Sequence, residues 1–269
     1  MLKRIITAVV ALMLLIPILW FSDTIVFPLA ISVLCVIACC EMMKCVGIFC
    51  HPALSVPIIA FAAGMPLVAR YAPSYTLPLV LLLFCYIIGY SVIGYKRLGI
   101  SEIGLAFYEI FAVLVGFTLL VRVRDLRPHM YLIIFVAAWM TDTFAYFTGF
   151  FLGKHKLCPE ISPKKTVEGA VGGVVGAIIG SVLLALIMNK CVGFEEGFSY
   201  LEAALIAVPL SFIGQIGDLA ASLTKRHFGV KDYGKIFPGH GGVMDRFDSI
   251  IPITIMIYVI ISVFEKALL

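Results

Sequence analysis

Apolar residues run through this chain in long blocks separated by short polar breaks. A helix crosses a bilayer with about 20 predominantly apolar residues. Nine such stretches can be read, at roughly 4–22, 24–42, 52–70, 75–95, 101–121, 130–152, 167–188, 200–222 and 249–265. The least clean break lies between the second and third, in "CVIACCEMMKCVGIFCHPALSVP". The alternation of a transmembrane barrel is absent, which leaves helices as the spanning structure. The expected fold is all-α: a polytopic integral membrane protein of about nine transmembrane helices.

Composition sharpens this picture. The 269 residues are 62% hydrophobic and 13% charged, and the mean hydropathy is +1.10. Those values exclude an ordinary soluble domain, and no nucleic-acid partner is expected. The opening "MLKRIITAVVALMLLIPILWFSD" has the basic start and apolar run of a signal peptide. It lacks an A-x-A-like cleavage site and further spans follow, so a retained first helix is expected. The eight cysteines show neither a paired framework nor zinc-type spacing and read as small buried hydrophobes.

Charge sets the expected orientation. With nine spans and the N-terminus inside, the inside segments hold fourteen of the twenty basic residues. The other six are Arg70, Arg122, Arg124, Arg127, Lys190 and Lys266. Positive charge collects on the cytoplasmic side of membranes, so the expected topology is N-in and C-out. "RVRDLRPH" at 122–129 runs against that trend. The two most charged loops, 153–166 and 223–248, fall on the cytoplasmic face.

The polar residues are distributed unevenly. Over 1–127 the spans carry few, with Glu41 and Glu109 the exceptions, and this region reads as scaffold and dimer interface. From 128 to 269 they recur inside and beside the spans, and this region reads as the one that holds a nucleotide and metal site. In "SFIGQIGDLAASLTKRHFGVKDYGK", Gln215, Asp218, Ser222 and Arg226 are spaced by three, four and four, which places them on one helix face. An aspartate in apolar sequence costs several kcal/mol and normally faces a cavity, a partner or an ion. A structural Asp–Arg pair between helices is one account of Asp218; an ion site is the other.

Three further acids bear on that choice. Asp142 lies in "AAWMTDTFAYFTG", and Asp245 and Asp248 lie in "MDRFDS". The last two share a face if the ninth helix begins near Val243, and the helix dipole alone would favour them in a first turn. Alternatively the acids supply hard oxygen ligands to Mg²⁺, which is held by one or two carboxylates together with substrate phosphates. Asp218 and Asp245 are the preferred ligands, each at the cytoplasmic end of an apolar span.

The loop before the seventh span reads "GKHKLCPEISPKKTVEGAVGGVVGAIIG". Thr166 is a candidate N-cap, with Val167, Glu168 and Gly169 in the first turn. Lys164 and Lys165 beside a helix N-terminus suit phosphate, or simply follow the positive-inside trend. The glycines that follow suit close helix packing. In "FPGHGGVMDR" the proline and glycines break any helix and let the backbone approach a ligand closely. His240 there could orient a phosphate, act as acid or base, or do nothing chemical. Carboxylates, basic groups and glycine-broken loops at one membrane face are what phosphoryl or nucleotidyl transfer requires.

At this point the residues resemble a known family. "SLTKRHFGVKDYGKIFPGHGGVMDRFDS", 222–249, is similar to the signature of the phosphatidate cytidylyltransferases, or CDP-diacylglycerol synthases. Every position of S-x-x-K-R, then K-D, then P-G-H-G-G-x-x-D-R-x-D is filled, and "DTFAYFTGFFLGKHKL" and "SPKKTVEGAVGG" look like the family's other segments. The resemblance implies CTP and phosphatidic acid as substrates, Mg²⁺ and a K⁺-like monovalent cation as cofactors, and a homodimer among the lipids of the cytoplasmic membrane. It implies Asp218, Asp245 and Asp248 as metal ligands with Asp142 in support. Lys164, Lys165 and Thr166, with Glu168 and His240 nearby, would serve the nucleotide. Ser222, Lys225, Arg226 and Arg246 would address phosphatidate or pyrophosphate. Two other readings compete: a CTP-dependent polyprenol- or phytol-type lipid kinase, and an ion-coupled transporter.

Overall fold

Nine long helices and one short one follow each other along the described residues of the computed structural model, which are 2–94, 99–128, 130–191 and 199–267. They are α1 (Leu2–Trp20), α2 (Val26–Val46), α3 (Pro52–Tyr71), α4 (Thr76–Ile93), α5 (Ile100–Leu126), α6 (Met130–Leu152), α7 (Val167–Cys191), α8 (Tyr200–His227), α9 (Met244–Phe247) and α10 (Ile250–Ala267). Between α6 and α7 lies a two-stranded antiparallel hairpin, β1 (Lys156–Cys158) and β2 (Ser162–Thr166). Among the described residues seven helices, α2 to α8, are long and apolar enough to cross a membrane, and the apolar part of α10 is shorter. The all-α membrane architecture is therefore as expected, apart from the small hairpin. Both its strands are short and charged, so no alternation announces them.

The chain divides into two units. The first joins 1–126 to 228–247, and the second joins 127–227 to 248–269. In the first, α2, α3 and α5 pack round a core that includes Phe27, Met42, Ile58, Met65, Leu114 and Phe117, all essentially unexposed. Helix α2 stops at Gly47, whose φ of 86° is the left-handed conformation that a helix end needs and that glycine adopts without penalty. Arg70, and Arg122 and Arg124 of the segment that ran against the charge trend, have structural partners here. Arg70 forms a two-pronged pair with Asp125, at 2.6 and 3.2 Å, and donates to the carbonyls of Ser22 and Thr24. Arg124 also reaches Asp125, and Arg122 donates to the Ala69 carbonyl. The side chain of Glu109 lies outside the described residues.

In the second unit, α6 and α7 form the closest helix pair. The glycines of α7 make this possible. A methyl group on Gly172 would overlap Thr148, one on Gly176 would overlap Phe144, and one on Gly180 would meet Met140. Without a hydrophobic drive between helices in lipid, small residues that let backbones approach supply the packing energy. Helix α10 packs on α8 in the same manner, with Gly214 facing Ile253 and Gly217 facing Pro252.

One sequence expectation needs correction. Asp245 and Asp248 do not share a face of a single ninth helix, because α9 ends at Phe247 and α10 begins at Ile250. Pro252 explains the break: it has no N–H to offer the Asp248 carbonyl, and its ring would clash with that carbonyl in a continuous helix. In the first turn of a new helix a proline costs nothing of this kind.

Candidate active site

The polar face predicted on α8 exists, and within the second unit it lies against α6, α7 and the hairpin. Ser211 accepts a 2.8 Å hydrogen bond from the Thr141 hydroxyl of α6. One turn on, the Gln215 amide donates to the Ala170 carbonyl of α7 at 3.2 Å. Asp218 pairs with Lys165 of β2. Arg226 donates to the Ile161 carbonyl at 3.5 Å. The spacing read from sequence thus corresponds to one docking seam, with Ser222 in it by register. An Asp–Arg pair was one account of Asp218, but lysine is the partner that the fold supplies.

The hairpin is held from α7. Thr166 caps that helix, its hydroxyl accepting from the Gly169 N–H at 3.0 Å, as its position suggested. Glu168 reaches back: its carboxylate accepts from the N–H groups of Lys154 and His155 and lies 2.6 Å from His155 Nδ1. The side chain expected beside a nucleotide therefore fastens the start of the 154–166 loop. Lys164 is exposed and Lys165 half-buried. Asp142 is exposed on α6.

Asp248 opens α10 within the same unit. Lys225 lies 3.9 Å from it, and both side chains are largely buried. Burial pushes the Asp248 carboxyl from its ordinary 3.8 up to about 7; the Asp218 carboxylate adds to the rise, Lys225 opposes it and Asp142 adds again. Three acids and two lysines thus act on each other in this unit. A raised carboxyl binds more protons folded than unfolded, so its contribution to stability is full below about 4 and is lost as pH rises towards 7. In chelator-containing buffer, the unfolding temperature should fall over that window, and Asp248→Asn should remove that part of the fall. Parallel slopes for wild type and variant between about pH 4 and pH 7 would exclude the assignment.

The signature loop belongs to the first unit. Its turn is a bridge between Phe237 and Gly241, with Gly239 and Gly241 at φ of 81° and 85°, values that favour glycine. His240 closes the turn through its N–H to the Phe237 carbonyl, and its Nδ1 is buried without a hydrogen-bond partner among the described residues. Asp245 is buried, and its Oδ2 accepts from the N–H groups of Tyr233 at 2.8 Å and Gly242 at 2.9 Å. Arg246 beside it is exposed. Thr7 of α1 donates to the Pro238 carbonyl, and Phe247 rests against Phe117 of α5. Sequence reasoning assigned no part in this loop to Glu41 of α2, yet its carboxylate accepts from the N–H groups of Val243 and Met244.

Among the described residues no three His, Cys, Asp or Glu side chains converge as a ready-made metal cage. The donor set nonetheless suits Mg²⁺, which takes oxygen ligands and completes its shell with water and substrate phosphates. Asp218 and Asp248 are such donors within one unit, each beside a lysine amine.

Comparison with known proteins adds the following. The model of the cytidylyltransferase family matches residues 2–264. A phosphatidate cytidylyltransferase of Staphylococcus haemolyticus is 34% identical over 253 residues, covering 91% of this chain and 93% of the relative. One from Staphylococcus saprophyticus is 35% identical with the same coverage. One from Staphylococcus aureus strain COL is 34% identical, also with the same coverage.

Proposed function

Since the chain belongs to the cytidylyltransferase family, we propose that it is a phosphatidate cytidylyltransferase, converting CTP and phosphatidic acid to CDP-diacylglycerol and pyrophosphate. The observation that carries this reading is the near full-length similarity to enzymes of that name. The polar seam of α8, the hairpin and Asp248 agree with it. An ion-coupled carrier would need none of the signature that fills 222–249.

The reaction asks for positioning and charge neutralisation. A phosphate oxygen of phosphatidate attacks the α-phosphorus of CTP, the bond from that phosphorus to the bridging oxygen breaks, and pyrophosphate departs. The attacking phosphate is already ionised at neutral pH, so no strong general base is needed. Lys164 and Lys165 bind CTP phosphates, with Thr166 and Glu168 holding the loop and helix end that carry them. Ser222, Lys225, Arg226 and Arg246 address phosphatidate or the departing pyrophosphate. Asp218 and Asp248 would hold Mg²⁺ with Asp142 in support, and the signature assigns Asp245 the same duty. When bound, the ion offsets negative charge on the phosphate oxygens. His240 offers its unpartnered ring nitrogen to a phosphate, and a K⁺-like cation is a further cofactor.

The protein acts as a homodimer in the cytoplasmic membrane, with these residues on the cytoplasmic side. The lipid environment accounts for a substrate site built into apolar spans.

The test is transfer by purified protein, with and without Mg²⁺, from CTP labelled at either the α or the γ phosphate. Label from the α position must enter the lipid; entry of the γ label alone would establish a CTP-dependent lipid kinase instead.

A further inference from the structure

Glu41 is nearly unexposed in the C-terminal third of an apolar helix, where a buried carboxylate is costly unless it is given hydrogen-bond donors. Its donors come from far along the chain. Oε1 accepts from the Val243 N–H at 3.1 Å, and Oε2 accepts from the Met244 N–H at 2.9 Å. These groups open α9, where backbone N–H groups have no partner within the helix. The residue after Met244 is Asp245.

A second observation is independent of those bonds. A methyl group added to Gly242 would overlap the Glu41 carboxylate, and one added to Gly234 would overlap it too. Neither glycine has the positive φ that glycine alone tolerates; those are Gly229, Gly239 and Gly241 in this loop. Gly234 and Gly242 are therefore glycines because the carboxylate occupies the space of a side chain. Gly242 is held from both directions, since its own N–H is donated to Asp245 Oδ2.

We propose that Glu41 is a positioning residue for the transfer reaction: through Val243, Met244 and Gly242 it sets the turn that presents Asp245. The proposal rests on the activity proposed above. On that reading Asp245 would help to hold the metal ion, and Glu41 acts only through it. A glutamine at 41 would keep one acceptor and turn an NH₂ group towards the other N–H. An alanine would leave both N–H groups unpaired.

The experiment compares the full-length wild type, Glu41→Gln, Glu41→Ala, Gly242→Ala and the double variant Glu41→Ala/Gly242→Ala, each purified. Two readouts are taken: CMP transfer per folded molecule, and the unfolding temperature. Glu41→Gln and Gly242→Ala should each lower kcat by about tenfold or more while the KM for CTP moves by less than about threefold. Because Gly242→Ala acts by colliding with Glu41, it should cost little further in the Glu41→Ala background, a coupling that independent sites do not show. Wild-type kcat in Gly242→Ala or Glu41→Gln overturns the proposal, as do losses that multiply in the double variant. A fall in activity that follows only the folded fraction also overturns it, because that marks a purely structural contact. If Glu41→Ala does not fold, the two milder variants decide the matter through kcat. If wild type fails to transfer CMP, the activity itself is wrong, and the coupling in unfolding temperature still tests the contact between Glu41 and Gly242.

Discussion

Asp218→Asn should lower CMP transfer by about a thousandfold, or ~4 kcal/mol of transition-state stabilisation, while the protein stays folded. The side chain keeps its size, and the pair it loses with Lys165 is about a quarter to a third exposed. Pairs of that exposure contribute about 0–1 kcal/mol to stability, so the unfolding temperature should move little. The catalytic loss has a separate origin. An amide is a poor ligand for a hard cation, and Lys165 would then have no anion to hold it in place between turnovers. The measurement is the rate of α-label transfer against Mg²⁺ concentration. Turnover close to wild type at saturating Mg²⁺ would remove Asp218 from the metal site and leave it as a structural partner of Lys165.

Gly176→Leu should have the largest effect on the folded state. The space beside Gly176 is filled by Phe144, and a new Cβ would meet the Phe144 Cβ at 2.5 Å as well as the ring. Rotating the ring gives no relief, because the Phe144 Cβ is fixed by the backbone of α6. The helices must separate instead, which breaks the neighbouring contacts of Gly172 with Thr148 and Gly180 with Met140. Overpacking of this kind costs about 1–3 kcal/mol at a single site, and here it spreads along the seam. The expected result is a large loss of monodisperse protein and a lowered unfolding temperature, partly restored by Phe144→Gly, which removes that Cβ. An unfolding temperature equal to wild type would show that the α6–α7 spacing is not set by these glycines.

The helices were legible because lipid imposes their length and composition. The seam of α8 was legible because polar residues in apolar sequence have few reasons to recur every three or four positions. Thr166 was recognisable as a cap from its place before Val167. What stayed hidden depends on pairs far apart in sequence. Nothing in a linear reading joins Lys165 to Asp218, or Glu41 to Val243 and Met244. The contact of Glu168 with 154–155 was hidden for a related reason: a carboxylate in a helix's first turn suits the dipole, a ligand or a neighbouring loop equally well, and only the fold shows which loop it meets. The interruption before α10 did have a signal, since Pro252 stands where a continuous helix would need an N–H.

The attachment of 228–247 to the first unit has a consequence for the order in which the protein is made. Glu41 enters the membrane with α2, yet the N–H groups that satisfy it are separated from it by 202 and 203 residues. A ribosome adds about 5–20 residues per second, so the nascent chain carries that carboxylate for roughly ten seconds or more before its partners exist. Both units are also interrupted in sequence, so the first waits for 228–247 and the second for 248–269. A chain stopped at 227 would hold every span of the first unit and still lack the N–H groups that hydrogen-bond the acid within it. Truncated or stalled products should therefore be marked for quality control by a single exposed demand, that of one unsatisfied glutamate in the second helix.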